Sequence, residues 1–578
     1  MAFKQDEFPG LDLREYRIVQ GQDSAAALVI DGDIIAAAAE ERFNGRKHSG
    51  AFPAGAIRYC AAEAGIGVRD IDAFVHAFDY GAYRFHHSLS DLAKRRYRKV
   101  YSREAILELF GRRLPEVENR EEKLHHVEHH IAHAASAYYT SGWDECLVAV
   151  LDGMGEVHSI TVWHACDGRL ENIHKQSANN SLGVLYSLVT LHLGFDFNSD
   201  EYKIMGLAPY GDPAKFRAFY DEHVQLLDDG GLRIPILSLN KTPFEREVYE
   251  RTRAFLTENL IAPRKPDDEI EDVHRDVAAA LQECLNRAIH HIGSHFAKTT
   301  GLRRLAMAGG VALNCTANSK LLDSNAFDEI YVQPAAADDG AALGAALAYA
   351  ATEDKVRNLR MAVPFLGPAY APSELDRAIE QYADRIEVER FESCSDTCAA
   401  AAQCIANGQV IAWFRGRMEF GPRALGHRSI LADPGHPEMR DRVNAMVKMR
   451  EAFRPFAPAV TLETVHDWFE VDPGAELPYM IFIVRVREEH RAALPGITHV
   501  DGTARVQTVA ADTNPSFHEL LKHVGDTTGR EMVLNTSFNV KGQPMVNTPE
   551  EAIETFLGTG IDVLFLGEAA VRRVPTDA

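Results

Sequence analysis

Apolar runs separated by acidic or glycine-containing turns lay out the first two-thirds of the chain. Ala25 to Glu40 (AAALVIDGDIIAAAAE) is two short apolar runs joined by Asp31-Gly32-Asp33, which predicts a β-hairpin. Leu147-Val148-Ala149-Val150-Leu151 reads as a buried strand that delivers Asp152 at its carboxyl end, ahead of Gly153 and Gly155. Arg304 to Ala308 runs in the same way into Gly309-Gly310. Ile330-Tyr331-Val332 is followed by Ala337-Asp338-Asp339-Gly340 and a helix over Ala341 to Ala351. Strand, acidic or glycine-rich turn and helix therefore recur at Asp23, Asp152, Gly309 and Asp338. This predicts a duplicated α/β core with its site in a central cleft, since ligands gather at the carboxyl ends of such strands. Pro53 opens a helix through Ala64, Ser181 leads another, and Val273 to Lys298 is a long one. Asp200 to Gly211 reads as a short polar loop, and Arg233 to Asp268 as an excursion or lid. The pattern loosens at Thr352 to Pro372, a linker. A second α/β domain follows, with a helix over Pro372 to Ala383 and strands at Gln409 to Phe414 and from Met532.

The histidine-rich stretch LHHVEHHIAHAASAYY is where chemistry concentrates. On a helix His129 and His133 lie one turn apart, the bite one metal ion takes from two imidazoles. His126 and His130 share that spacing, and periodicity does not choose between the pairs. A solvated helix edge fits the stretch equally well. Asp338 either caps its helix or joins the histidines and Asp152 as a carboxylate ligand. The Gly21-Gln22-Asp23-Ser24 turn either presents Asp23 or simply turns the chain.

Composition narrows the partners. The 578 residues are 46% hydrophobic and 25% charged, an ordinary globular balance, with a formal net charge of -23. That charge argues against a broad grip on nucleic acid or anionic lipid, and the basic span Lys94 to Arg103 reads as a salt-bridged surface. No apolar run reaches membrane-spanning length and the first residues lack a secretory pattern, so a cytoplasmic protein without membrane or nucleic-acid partners is expected. The eight cysteines are scattered and expected to be reduced.

A second concentration of charge lies in GPRALGHRSILADP and VNAMVKMREAFRPFAP, where Arg423, Arg428, Lys448, Arg450 and Arg454 fall close together in an acidic chain. Such cations suit phosphate oxygens. Arg505 and Gln507 in DGTARVQ, and Ser537 and Asn539 in LNTSFN, add polar side chains at strand ends.

Ten ordered motifs, from DGDIIAAAAEERF and HHIAHAASAYY through VLDGMGE, EYKIMGLAPYG, AGGVALNC and DDGAALGAAL to FGPRALGHRSILADP, KMREAFRPFAP, DGTARVQTV and LNTSFNVKGQPMVNTPEEA, resemble the carbamoyltransferase family, which includes the O-carbamoyltransferases of antibiotic and nodulation-factor biosynthesis. The resemblance implies an N-terminal domain of the actin-like ATPase superfold over residues 1–355 and a C-terminal YrdC-like domain over 366–578. It implies that the C-terminal domain uses ATP, with Mg(II), to convert carbamoyl phosphate to a carbamoyl adenylate, and that the N-terminal domain passes the carbamoyl group to the hydroxyl of a small molecule. Position by position, His129, His133, Asp152 and Asp338 match the family's Fe(II) ligands, although a donor set of this kind also suits Mn(II) or Zn(II). Gly309, Gly310 and Asn314 match the adenylate-holding residues of the first domain. Arg423, Lys448, Arg454, Arg505, Gln507, Ser537 and Asn539 match the activating pocket.

One departure is visible: many relatives carry His-Asp where this chain has Gln22-Asp23. If that histidine assists proton transfer, either Gln22 only positions substrate here or another base such as His48 or His130 takes the role, and Asp23 is expected to matter more than Gln22. The alternative function is a tRNA-modifying or tRNA-binding protein of the threonylcarbamoyl-adenosine type. The acceptor is not readable, Asp79 to Arg120 and Arg233 to Asp268 are the expected sources of its selection, and a homodimer is compatible with an enzyme of this size.

Overall fold

The computed structural model describes residues 22–574 apart from Ser90, Asp354, Arg357, Arg450 and Ala452; Gly21 and Arg450, named above, lie outside the described residues. Asp31 and Gly32 take φ of 50° and 89°, the paired left-handed conformation that a two-residue hairpin turn requires, and Ile30 pairs directly with Asp33. The chain forms two compact units, one holding the described residues up to Asn44 with His48–Met361, the other Gly45–Lys47 with Ala362 onward.

Within the first unit a similar succession occurs twice, antiparallel neighbours, then helix, then parallel strands, in a smaller and a larger form. The first copy is Ala25–Ile30 with Asp33–Ala39, helix Ala54–Glu63, and Phe74–His76 parallel to Leu124–His126. The second is a five-stranded sheet in the spatial order Glu329–Val332, Arg304–Ala308, Glu145–Leu151, His158–Cys166, Arg169–Ser177. The first three of these run parallel and the last two fold back antiparallel. Residues 146–151 are buried throughout, as expected of a central strand covered on both faces.

Helices His129–Ser141 and Asp338–Thr352 pack together through small side chains, with Ala132, Ala341 and Ala345 buried at the contact. Glycine is required there. A Cβ on Gly344 would stand 1.7 Å from Ala132 O, a backbone atom that cannot rotate away.

Three expectations need correction. Asp200 to Gly211 is not a loop but helix Glu201–Leu207 followed by a 3₁₀ turn, because Ile204 and Leu207, three apart, bury on one face and Asp200 pairs with Lys203 at 2.9 Å. Arg233 to Asp268, the excursion, is not a long irregular insertion: it contains helices Pro243–Val248 and Glu250–Asn259, the first opened by a Thr242/Glu245 capping box. Asp79 to Arg120 likewise contains helices Asp91–Arg96 and Arg103–Arg113, the latter capped by the Ser102 hydroxyl.

The second unit is built on an eight-stranded mixed sheet ordered Ile386–Arg390, Ala569–Arg573, Val563–Leu566, Ile411–Phe414, Arg428–Ala432, Met532–Ser537, Ala457–Thr461, Gln507–Val509. Helices Cys394–Ala406 and Pro515–Thr528 pack over Trp413 and Phe565 in its core. Among the described residues none of the eight cysteines is in a disulfide. No helix among the described residues is long and apolar enough to cross a membrane.

Candidate functional site

Helical periodicity left two histidine pairs open, and packing separates them. His129 and His133 are fully buried, one turn apart on helix His129–Ser141, with their Nε2 atoms 3.0 Å apart. Asp152, at the end of the central strand, places Oδ2 3.5 Å from His129 Nε2. Asp338, the first residue of its helix, places Oδ1 3.4 Å from His129 Nε2 and 3.8 Å from His133 Nε2. One ligand atom from each of the four lies within 4.8 Å of all the others.

The surroundings aim these donors. His129 Nδ1 is 3.2 Å from the Ala77 carbonyl, so an N–H donated there turns the Nε2 lone pair inward. Phe78 stacks on the same ring at 4.0 Å. Asp152 Oδ1 accepts from Gly310 N–H at 3.1 Å, leaving Oδ2 for the cluster. Glu156 accepts from the backbone N–H groups of His129 and Asp79, tying the helix start to the segment that carries Ala77 and Phe78. Neither Glu156 nor the Ala77 carbonyl was singled out from sequence, although Glu156 closes the VLDGMGE motif.

Electrostatics fit the same picture. Burial alone would hold His129 down, but the Asp338 and Asp152 carboxylates outweigh it and push the imidazole up to about 10. Burial likewise opposes ionisation of Asp152 and Asp338, and the facing imidazoles hold both carboxyls below the usual carboxylate range. Two imidazoles and two carboxylates converging on one point are the donor set that Fe(II), Mn(II) or Zn(II) takes, so the residues fit a divalent metal.

The remaining candidates of the first unit lie around this cluster. Gly309 has φ 94°, and a Cβ there would meet Leu151 O at 2.2 Å, so the turn after strand Arg304–Ala308 lies directly on the strand that delivers Asp152. Asn314 is committed as the N-cap of helix Cys315–Leu322 and also meets Gln282. His130 is 3% exposed, with Nδ1 3.0 Å from the Thr161 hydroxyl, and burial pushes its imidazole well below the ordinary range. His126 Nδ1 faces the Phe78 carbonyl instead of the cluster. Asp23 is 2.9 Å from His48 Nδ1.

In the second unit, Lys448 is buried, with Nζ 2.5 Å from Ser537 O, 3.2 Å from Ser537 Oγ, 3.0 Å from Asn539 O and 2.7 Å from Asn539 Oδ1. Three residues read separately from sequence thus form one polar nest at the end of strand Met532–Ser537. Gln507 donates to Leu425 O and accepts from Asn535 at 2.9 Å, while Asn535 also reaches Ala424 O. The Arg423-Ala424-Leu425 turn is thereby pinned over the same strand. Arg505 lies two residues ahead of Gln507 and is half-buried, and Arg454 pairs with Glu451 at 3.6 Å. Glu419, which sequence reasoning missed, is buried and accepts from the backbone N–H groups of Leu425, His427 and Arg428. A lone acid inside a Gly/Pro loop was its only signal.

Arg428 departs from expectation. It is fully buried beneath the Phe414 ring at 3.7 Å and donates to the carbonyls of Arg415, Gly416, His427 and Pro368, which makes it a brace of the loop rather than part of an anion cluster.

A carbamoyltransferase N-terminus model matches residues 18–347 and a carbamoyltransferase C-terminus model matches 402–573. The chain is 39% identical over 565 residues to the nodulation protein NolNO of Sinorhizobium fredii, covering 95% of this chain and 79% of that protein. It is 35% identical over 271 residues to the 3'-hydroxymethylcephem-O-carbamoyltransferase of Streptomyces clavuligerus, covering 47% of this chain and 49% of that one. Among solved structures, T. kodakarensis HypF is similar at a TM-score of 0.27 and 15% identity, covering 58% of this chain and 49% of that one. With both models matched in order and a relative aligned along nearly the whole length, this α/β enzyme belongs to the carbamoyltransferase family.

Proposed function

We propose that the protein is an ATP-dependent O-carbamoyltransferase that activates carbamoyl phosphate as a carbamoyl adenylate and transfers the carbamoyl group to a hydroxyl of a small-molecule natural product. The observation that carries this reading is the convergence of His129, His133, Asp152 and Asp338, the first three buried, in a chain whose family is carbamoyltransferase. The names of two relatives, a nodulation protein and a cephem O-carbamoyltransferase, support a hydroxyl on a secondary metabolite as the acceptor.

In the second unit, Lys448 is positioned by Ser537 and Asn539 to exchange protein acceptors for phosphate oxygens, and Arg423, Arg454 and Arg505 supply further charge for two anionic substrates with their Mg(II). In the first unit, the Gly309-Gly310 backbone offers close approach to the adenylate beside Asp152. His129, His133, Asp152 and Asp338 would hold Fe(II) or another divalent ion. When bound, that ion supplies Lewis acidity toward the carbamoyl oxygen. His129, His133 and Asp152 are buried and Asp338 is part-exposed, so the open side of the cluster, where substrate would enter, is the Asp338 side.

The test is pyrophosphate release from ATP by the purified, metal-replete protein without an added acceptor. Release should require carbamoyl phosphate, vanish in Lys448→Ala and survive in His133→Ala. No release under any condition would refute the activation half of the reading, and equal loss in both variants would refute the division of labour.

A further inference from the structure

Outside the metal cluster, one pair of side chains has the makings of a proton-transfer device. His48 Nδ1 lies 2.9 Å from Asp23 Oδ1, with side chains 28% and 29% exposed. An imidazole donating Nδ1–H to a carboxylate carries its basic lone pair on Nε2, and the carboxylate stabilises the imidazolium that forms when a proton arrives.

The pair is held from several sides. Ser24 N–H donates to Ser49 O at 2.9 Å, clipping together the segments that carry Asp23 and His48. The His48 backbone N–H donates to Glu41 Oε2 at 2.7 Å, and Glu41 in turn pairs with Arg42 at 2.8 Å. Asp23 and His48 both take left-handed backbone, at φ 57° and 55°, a conformation uncommon outside glycine and concentrated where function over-determines geometry.

The pair is also joined by packing to the helix that carries Asp338. Asp23 lies two residues before strand Ala25–Ile30, which packs on the helix begun by Asp338, and the Asp23 charge bears on Asp339. His130, the other candidate base, is 3% exposed, packed against Gly155 and turned toward the Thr161 hydroxyl rather than a carboxylate. The carboxylate partner, which His130 lacks, is what stabilises the imidazolium formed when the acceptor's proton arrives.

We propose that His48 is the general base of carbamoyl transfer and that Asp23 is its positioning residue. The inference rests on the proposed carbamoyl adenylate. As the acceptor oxygen bonds to the carbamoyl carbon, its proton passes to His48 Nε2. The bond from that carbon to the adenylate phosphoryl oxygen breaks with its electron pair, and AMP leaves.

Water can serve as the acceptor in the test, giving carbamate and AMP. ATP and carbamoyl phosphate are mixed with the metal-replete full chain, and pyrophosphate is followed from the first turnover into the steady state. His48→Gly suits the left-handed backbone and opens space for added imidazole. His48→Asn, also at ease in that conformation, must melt like the wild type and so separates loss of the base from loss of the fold. Both should keep the first-turnover burst and lose about 100-fold in steady rate, the scale of a missing general base. Imidazole should restore at least tenfold in His48→Gly but nothing in Asp23→Asn. A steady rate within twofold of wild type, a lost burst, or a deficit that imidazole leaves untouched would overturn the assignment. Absence of carbamoyl-phosphate-dependent release in the wild type would instead remove the adenylate reading itself, and this proposal with it.

Discussion

Replacing Gly344 by alanine tests whether the metal-type cluster depends on the close approach of two helices. The added Cβ would stand 1.7 Å from Ala132 O, 2.6 Å from Ala132 C and 2.9 Å from Ser136 N, all backbone atoms of the helix that carries His129 and His133. Ordinary contact begins at 3.4 Å, so the helices must part by about 1.7 Å. Asp338 rides on the moving helix and begins only 3.4 Å and 3.8 Å from the two Nε2 atoms. Metal bonds tolerate about 0.2 Å of ligand error, so a shift of this size removes Asp338 from coordinating range. We expect metal affinity to fall by at least about 10- to 100-fold, the scale seen when ligand orientation alone is disturbed. Overpacking should cost a further ~1–3 kcal/mol of stability. The assay is competition for Zn(II) or Fe(II) against a chromogenic chelator, with thermal melts of the metal-free protein alongside. Wild-type affinity together with an unchanged melting temperature would refute both the packing argument and the assignment of Asp338 as a ligand.

In the metal-free protein His129 is raised to about 10, so its contribution to stability is fully present below its unfolded value near 6.5 and is lost as pH rises toward 10; Asp152 and Asp338 are depressed, so theirs is present above about 4 and lost in acid. Denaturant midpoints measured in chelator should therefore be highest between about pH 4 and 6.5 and fall toward pH 10, while metal affinity rises over that range as His129 gives up its proton; a flat profile would contradict the cluster's electrostatics. Arg428→Lys exchanges a fork that braces four carbonyls for a single nitrogen and should destabilise the second unit by at least about 2 kcal/mol in denaturant melts, while the KM for ATP in pyrophosphate release stays near wild type at temperatures where the variant is folded.

Local pattern was a good guide wherever one element decides the answer. The Asp31-Gly32 hairpin, the strand into Asp152, the long helix at Asp272–Thr300 and the Ser181-led helix are all present, because alternation, caps and turn residues act over a few positions. The pattern failed at Asp200 to Gly211, where Gly206 and Pro209 looked like loop residues and tertiary burial of Ile204 and Leu207 favoured a helix. At the site, residue types were legible and partners were not. Spacing offered two histidine pairs equally, and only the fold turns His126 to the Phe78 carbonyl and His129 to Asp338. Arg428 illustrates the same limit: charge marks a residue for an anion, while burial and four carbonyl partners are visible only in three dimensions.

Asp338 and His129 are also the first residues of their helices, so two helix N-termini converge on the donor cluster. Aligned peptide dipoles give each such end a partial positive charge, which disfavours a bare cation and favours an anion beside it. The two carboxylates offset that penalty for a divalent ion, but the residual field should leave the ion electron-poor and attract a phosphate or carbonyl oxygen to its open face. The centre is thus better suited to an ion paired with an anionic ligand than to either alone, and nucleotide and metal should tighten one another's binding reciprocally.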